Sequence, residues 1–458
     1  MFPVVQHPAE HIAKCLREAQ NNEYVFCFEF SDALSDSDVN ARAKSYSARL
    51  FLEQGRWQLS ILEGSGPELE TLRAAERIAV DGPWFLKTVS IPKPWGKEIW
   101  YSAYEQRGVC HFAASAEQHG IPVPLLLHLF PQLLGRASAL NLLKVLAPFS
   151  SELLGELYFE MHEEKQEVYV VSHIDEQAWP NGVAEMRFGF CERKQQEFAS
   201  FEEFKGSYLS SVKAYEAVRQ EIDAELRSLS ADASVELLSE TEKQNMLLAL
   251  PQALQQREAS LARDMSSYIA KRALRLGDVI KVPKMLPHGL LHGVRVVEFQ
   301  TPVYERLILS FRQQVLTQSH WDTEQALSML MQAPAFDSKE TFDVCPLNEG
   351  LAANLEVERI VSFDDFEVYR LRFLKTACVA VAPILEQLLS VQSHFENHPA
   401  GNVLMLALHT MTLSGESSTI NLQAEEGACL PLWQGLHQNA VNLQAEKGAI
   451  ALLSRPLP

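Results

Sequence analysis

The stretch Leu157-Tyr158-Phe159-Glu160-Met161-His162-Glu163-Glu164-Lys165-Gln166-Glu167-Val168-Tyr169-Val170-Val171-Ser172 decides how this chain is read. Alternation before the acidic turn puts Tyr158, Glu160 and His162 on one face of a strand and Leu157, Phe159 and Met161 on the other. It resumes afterwards, so that Glu167, Tyr169 and Val171 share a face of a second strand. The stretch therefore predicts a tight β-hairpin turning at Glu163-Glu164-Lys165. Lining a barrel interior, that hairpin would bring Glu160, His162 and Glu167 to one point. Two inward carboxylates and an imidazole carry a large desolvation cost when unpaired, which a divalent cation offsets.

A second segment, Gly277-Asp278-Val279-Ile280-Lys281-Val282-Pro283-Lys284-Met285-Leu286-Pro287-His288, supplies a further donor. Its Gly turns the chain into a short apolar strand, Pro283 ends that strand, and His288 follows the next turn. Together the segments read E-x-H-x(4)-E and G-x(5)-P-x(4)-H. This pair, in this order, resembles the paired motifs of the cupin superfamily, with Glu160 where many cupins carry a first His.

The 458 residues exceed one ordinary core, so two or three domains are expected. Apolar content of 47% and charged content of 22% are those of a folded globular protein. A net charge of −19 argues against nucleic acid and anionic lipid as partners, and leaves an anionic substrate to be captured by a few local cations. The N-terminal MFPVVQHPAEHIAKCLREAQ lacks a basic region followed by an apolar core, and no 18-residue apolar run exists, so neither signal peptide nor membrane span is expected. The seven cysteines, at 15, 27, 110, 191, 345, 378 and 429, are odd in number and form no C-x-x-C; they read as inert thiols of a reducing cytoplasm.

Along the chain, a helix is predicted near Pro8–Gln20, a strand at Tyr24–Phe30, and a hairpin from Ala48 to Leu62 turning at Gln54-Gly55. Trp95 and Trp100 read as packing residues. The leucine-rich text between Ala114 and Pro148 reads as helical, broken by Pro122, Pro124 and Pro131, and ends in Leu142-Leu143-Lys144-Val145-Leu146, where a lone Lys either snorkels or binds phosphate. From Ser200 to about Arg272 the text is helical, with capping-box patterns at Ser200–Glu203 and Ser239–Glu242. A strand is expected at Val294–Gln300, a helix at 311–334 and a connector at 335–350. In the β-rich last hundred residues, Asn421-Leu422-Gln423-Ala424-Glu425-Glu426-Gly427-Ala428 is echoed by Asn442-Leu443-Gln444-Ala445-Glu446-Lys447-Gly448-Ala449, which suits a second jelly roll. His409 and His437 stand there without a ligand pattern.

The order of these pieces resembles type I phosphomannose isomerases, through KPWGKEIW at 93–100, LLKVL at 142–146, FEMH at 159–162, KQEVYVV at 165–171, VPKMLPHGL at 282–290, VVEFQ at 296–300 and VERIV at 357–361. The resemblance implies a mainly β fold with α insertions: two jelly-roll cupin barrels, a helical subdomain and an extra N-terminal α+β segment. The implied division is 1–88 as an extension, 89–199 with 273–350 as a metal-binding cupin domain, 200–272 as a helical insertion, and 351–458 as a metal-free cupin domain. By position it makes Glu160, His162, Glu167 and His288 the metal ligands, Lys144 and Lys165 substrate or phosphate contacts, and Glu298 and Arg306 cleft residues that join Lys165 as catalytic candidates.

The chain departs from the family pattern at Glu160, where Gln is usual, at Glu163-Glu164, where His-Pro-Asp is usual, and in a shorter spacing from Glu298 to Arg306. The activity implied is aldose–ketose isomerisation of mannose 6-phosphate and fructose 6-phosphate through a cis-enediol, with Zn2+, in a cytoplasmic monomer or homodimer. Two alternatives stay open. One is an Fe2+ or Mn2+ cupin enzyme such as an oxygenase, because the donor types do not separate these ions from zinc. The other is a sugar-phosphate-binding relative without turnover.

Overall fold

The computed structural model describes residues 2–31, 43–135, 137–229, 239–315, 318, 320–332, 342–390, 401–415, 419–432 and 441–457. The chain is mainly sheet with several helices, and the sheets form open rows of strands, so the expected barrels are met by open sheets. Two compact units emerge: one of residues 1–89, 100–143 and 341–458, the other of residues 90–99 and 144–340. Among the described residues, no helix is long and apolar enough to cross a membrane.

The second unit is layered. One six-stranded sheet runs in the order Val279–Val282, Glu167–Ile174, Val294–Gln300, Leu142–Pro148, Gly96–Trp100, Val89–Lys93. A five-stranded sheet runs Ile269–Leu274, Ala184–Phe190, His288–Leu290, Phe159–Met161, Leu307–Ser310. Period-2 alternation gives each sheet an apolar inner face: Tyr169, Val171, Ile280, Val282, Val294 and Val296 from one pack with Ala184, Met186, Phe188, Leu290 and Ile308 from the other. Trp95 is buried in this core, as its reading as a packing residue predicts.

Helices cover the outer face of the five-stranded sheet. Along Phe201–Leu229, the buried Phe204, Tyr208, Val212, Tyr215, Val218, Ile222 and Leu226 recur at helical spacing and meet Phe159, Met161, Phe190 and Leu309. Both predicted caps are present. The Ser200 hydroxyl accepts from Glu203 N–H at 3.2 Å, and Ser239 with Glu242 forms a full capping box. The helical reading ends early, however, because Ile269–Leu274 is already a strand.

Three local expectations are corrected. Phe159–Met161 and Glu167–Ile174 belong to different sheets, so the opening stretch is a crossover between sheets and not a hairpin. Leu142–Pro148 is a strand, with Leu143 and Val145 buried on one side of it, and the helix upstream is limited to Val123–Leu129 with a short turn at Pro131–Leu134. The helix expected over 311–334 is Thr323–Met329 alone among the described residues. The connector expected at 335–350 lies outside the described residues as far as 341, as does His437.

In the first unit, the predicted helix Pro8–Glu18 and hairpin Lys44–Glu53/Arg56–Glu63 are present, the latter turning at Gln54 and Gly55, which both have positive φ. Trp100 is buried, as expected of a packing residue. A nine-stranded sheet joins Ile121–Pro122, His111–Ala113 and Trp84–Lys87 to the C-terminal strands Gly427–Leu432, Gly401–Ala407, Ile450–Pro456, Phe366–Phe373, Leu355–Ser362 and Asp343–Val344. The two echoed segments play one role twice, each leaving a strand of a four-stranded sheet, turning, and entering the nine-stranded one. In the nine-stranded sheet the fully buried Glu367 accepts from Tyr369 Oη at 2.7 Å, Arg455 Nη2 at 2.7 Å and Ser362 Oγ at 3.0 Å, with Arg359 Nη1 at 3.3 Å.

Burial opposes ionisation of Glu367, but the Tyr369 hydroxyl and Arg455 more than offset it and hold its carboxyl below the usual range. A depressed carboxylate contributes stability above its unfolded value of about 4.3, and that stability is lost as pH falls through the folded value. Glu367→Gln should therefore cost about 1–3 kcal/mol at pH 7, where it strips the half-buried Arg455 of its counter-charge, and progressively less below about pH 4. Urea unfolding of both proteins across that range checks this; equal stability at pH 7 would refute it.

Candidate functional site

The polar end of the second unit's sandwich gathers almost every residue singled out by the sequence. Glu160 and His288 are direct cross-strand partners, and His162 follows at the end of the same strand as Glu160. Glu160, His162 and His288 each offer one donor atom within 4.8 Å of the others. Glu167 enters from the facing sheet, with Oε1 3.4 Å from His162 Nε2 and Oε2 3.1 Å from His288 Nε2. Its own oxygens are engaged as well, by Lys165 Nζ at 2.6 Å on Oε1 and the Tyr169 hydroxyl at 2.6 Å on Oε2.

These groups are out of water: His162, Glu167 and His288 are each 1% exposed. Glu160 Oε2 and His162 Nδ1 are buried without a hydrogen-bond partner, and His162 Nε2 has only the 3.4 Å approach of Glu167 Oε1, a costly arrangement for polar atoms. His288 Nδ1 lies 3.0 Å from the Leu286 carbonyl, which can only accept, so Nδ1 carries the proton. Its Nε2 then either donates to Glu167 as imidazolium or, in the neutral ring, turns a lone pair toward the same space as Glu160 and His162. Orphaned carboxylate and imidazole atoms converging in this way fit a divalent cation, and the Leu286 carbonyl fixes the tautomer of the His288 ring.

The electrostatics follow from burial against charge. Burial disfavours the Glu167 carboxylate, yet Lys165 and His162 hold it well below the usual range. Burial, then Lys165, depresses the His162 imidazolium. For His288, burial works downward, but the hydrogen bond and charge of Glu167 keep it above the usual range. Burial followed by Glu167 and Glu298 pushes the Tyr169 hydroxyl well above its ordinary value, so it stays a donor.

Beside this cluster lies a second pair, Glu298 and Lys144, with Lys144 Nζ 3.6 Å from Glu298 Oε1 and Glu298 only 2% exposed. Burial pushes Glu298 up to about 8 despite Lys144. Burial alone would lower Lys144, but Glu298, Glu98, Glu167 and Glu160 together raise it above the usual range. Lys165 is turned inward onto Glu167 and is 7% exposed. Arg306 stacks its guanidinium 4.6 Å from the Tyr158 ring centroid; burial works against its charge, and Glu160 is the largest influence raising its pKa.

Several contributors had no motif to announce them. Glu98 pairs with Lys93 at 3.1 Å and acts on Lys144. Glu305 takes the backbone N–H groups of Glu163, Glu164 and Lys165 at 2.6, 3.1 and 3.4 Å, while Gln166 N–H donates to Thr301 Oγ1 at 3.1 Å. The crossover between His162 and Glu167 is thus strapped to the loop that carries Arg306, a nest of successive N–H groups filled by the chain's own carboxylate. Tyr169 was placed on the right face by alternation, with no role attached.

No protein-family model matches the chain, and no curated protein matches it in sequence. Among solved structures, the mannose 6-phosphate isomerase of Bacillus subtilis superposes with a TM-score of 0.51 at 13% identity, covering 81% of this chain and 99% of that one. The chain shares its fold with that isomerase. Mannose 6-phosphate isomerase from Salmonella typhimurium in apo form gives 0.46 at 12% identity over 82% of this chain and 99% of that one. The same enzyme bound to substrate (f6p) and zinc gives 0.47 at 13% over 82% and 100%.

Two outcomes follow from the geometry. Added Zn2+ should raise the unfolding temperature of the wild type, by an amount equivalent to about 2.7 kcal/mol at a hundredfold excess over Kd, and His288→Ala should abolish the response. An equal zinc response in both proteins would refute the cradle. Glu305→Ala should speed hydrogen exchange at the Glu163, Glu164 and Lys165 amides by an amount corresponding to about 1–3 kcal/mol, with the helical layer unaffected. Unchanged exchange at those amides would refute the strap.

Proposed function

We propose that the chain is a metal-dependent aldose–ketose isomerase acting on a hexose 6-phosphate, with the mannose 6-phosphate and fructose 6-phosphate pair as substrates. The observation that carries this reading is the convergence of Glu160, His162 and His288, with unpartnered buried atoms, beside the buried Glu298–Lys144 pair. The fold shared with the Bacillus subtilis isomerase supports it. In this reading, the second unit's sandwich is a metal-bearing cupin with residues 200–272 as its helical insertion, residues 351–458 form a metal-free cupin, and residues 1–88 are an extension.

Glu160, His162, Glu167 and His288 are the proposed ligands, and Zn2+ is the proposed ion. A divalent cation there supplies stabilisation of negative charge developing on a substrate oxygen. The residues do the rest. Isomerisation removes the C2 proton of the aldose and returns a proton to C1, which one buried carboxyl can carry, while the hydroxyl proton passes from O2 to O1 through a second donor and acceptor. Glu298 suits that role, because at about 8 its carboxyl exists in both protonation states near neutral pH. Lys144 lies against it and would stabilise the enediolate, and Arg306, stacked on Tyr158, would meet the anionic substrate. Lys165, held on Glu167, would set the charge of that ligand.

One observation favours the manganese or iron reading of the same site: two carboxylates among four ligands make a harder, more negative set than a neutral amide at residue 160 would. The deciding experiment strips the protein with chelator, reloads it separately with Zn2+, Mn2+ and Fe2+, and assays mannose 6-phosphate to fructose 6-phosphate conversion. Turnover restored by a metal, and reduced by about 10²–10⁴-fold in Glu298→Gln, is the expected result. Tight binding of the sugar phosphate without turnover in every metal form would instead make this a binding protein.

A further inference from the structure

The tripeptide Glu-Val-Tyr occurs twice, at Glu167-Val168-Tyr169 and at Glu367-Val368-Tyr369, once in each unit. Both copies lie on strands, so Glu and Tyr project from the same face two residues apart. In both, the tyrosine hydroxyl reaches back to Oε2 of the glutamate, at 2.6 Å and 2.7 Å. All four side chains are buried, from 0% to 4% exposed. A buried carboxylate needs a counter-charge and a fixed orientation. The counter-charges differ: Arg455 and Arg359 surround Glu367, whereas Glu167 meets Lys165 and stands between His162 and His288. The orienting bond is the same in both.

We infer that Tyr169 is a positioning residue of the metal centre: its hydroxyl pins one oxygen of Glu167 and keeps the carboxylate between the His162 and His288 rings. The inference rests on the reading of Glu167 as a ligand. The last torsion of a glutamate is broad, and an ammonium only 2.6 Å away competes for its oxygens. Without the hydroxyl, Glu167 is free to turn both oxygens toward Lys165 and away from the rings. Hydrogen-bond partners of metal ligands typically change affinity by about 10–100-fold. The copy at Glu367 shows the same device serving a carboxylate that guanidinium groups neutralise, so the bond's local stabilisation can be separated from its effect on a cation.

The test compares Tyr169→Phe with Tyr369→Phe in the full chain, using Zn2+ affinity from competition with a chelator, the absorption spectrum of the Co2+-loaded protein, and the unfolding temperature of the metal-free protein. Tyr169→Phe is expected to weaken Zn2+ binding by about 10–100-fold and shift the cobalt spectrum, whereas Tyr369→Phe lowers the metal-free unfolding temperature and leaves zinc affinity and spectrum alone. Tyr169→Met repeats the deletion with a flexible side chain should Phe not pack. Glu167→Gln and His288→Ala serve as controls for the ligand set. If they weaken zinc binding and Tyr169→Phe does not, the inference is overturned and the metal centre stands. If neither control changes zinc affinity, the metal centre fails and the inference with it. Equal loss in the Tyr169 and Tyr369 variants would mark a general effect of destabilisation and would also overturn it.

Discussion

Glu167 is the group on which the rest of the site depends. Its carboxylate is buried between two sheets, and an isolated charge there would neutralise itself before the fold tolerated it. It remains ionised because Lys165 and His162 face it, while Tyr169 and His288 complete its hydrogen bonds. Those partners come from both sheets and from the crossover joining them, so the sandwich must close in one register for the charges to meet. The apolar end of the same inner face, built from Val171, Val296, Ile280 and Met186, supplies that register through ordinary burial. The site is therefore the polar continuation of a hydrophobic core, and the boundary falls at Tyr169, which packs its ring with the core and turns its hydroxyl to Glu167.

Much of this was legible in the sequence because alternation is a local property. It assigned Glu160 and His162, Phe159 and Met161, and Glu167 and Tyr169 to their faces. The Gly277–Pro283–His288 spacing likewise located a strand, its end and a buried imidazole. Alternation does not name a strand's neighbour, however. The two halves of the opening stretch read as a hairpin because a short turn separates them, while their actual partners lie more than a hundred residues away, at His288, Leu307–Ser310 and Val279–Gln300. Such pairings are chosen by the whole sheet's burial and leave no mark in a short window.

The leucines at 142–146 failed for a related reason. A short apolar run satisfies helix and buried strand alike, and Lys144 gave no hint that it would point at Glu298. Glu305 and Glu98 were invisible on other grounds: one acts from a loop on backbone N–H groups of a distant turn, the other through space on Lys144.

The charge of the chain and the charge of the site pull in opposite directions. A net −19 repels anions over the whole surface, yet the charged groups named in the site come close to balance: Lys93, Lys144, Lys165 and Arg306 against Glu98, Glu160, Glu167, Glu298 and Glu305. Burial pushes Glu298 up to about 8, so near neutral pH the acidic side of that balance is weaker than its count of carboxyls. A divalent cation would tip the balance positive, and in a buried environment such a local excess outweighs distant surface charge screened beyond about 10 Å. The carboxylate of Glu160 runs the other way. That acidic residue therefore has to be weighed against Arg306, for which it is the largest charge partner, as much as against any cation held with His162 and His288.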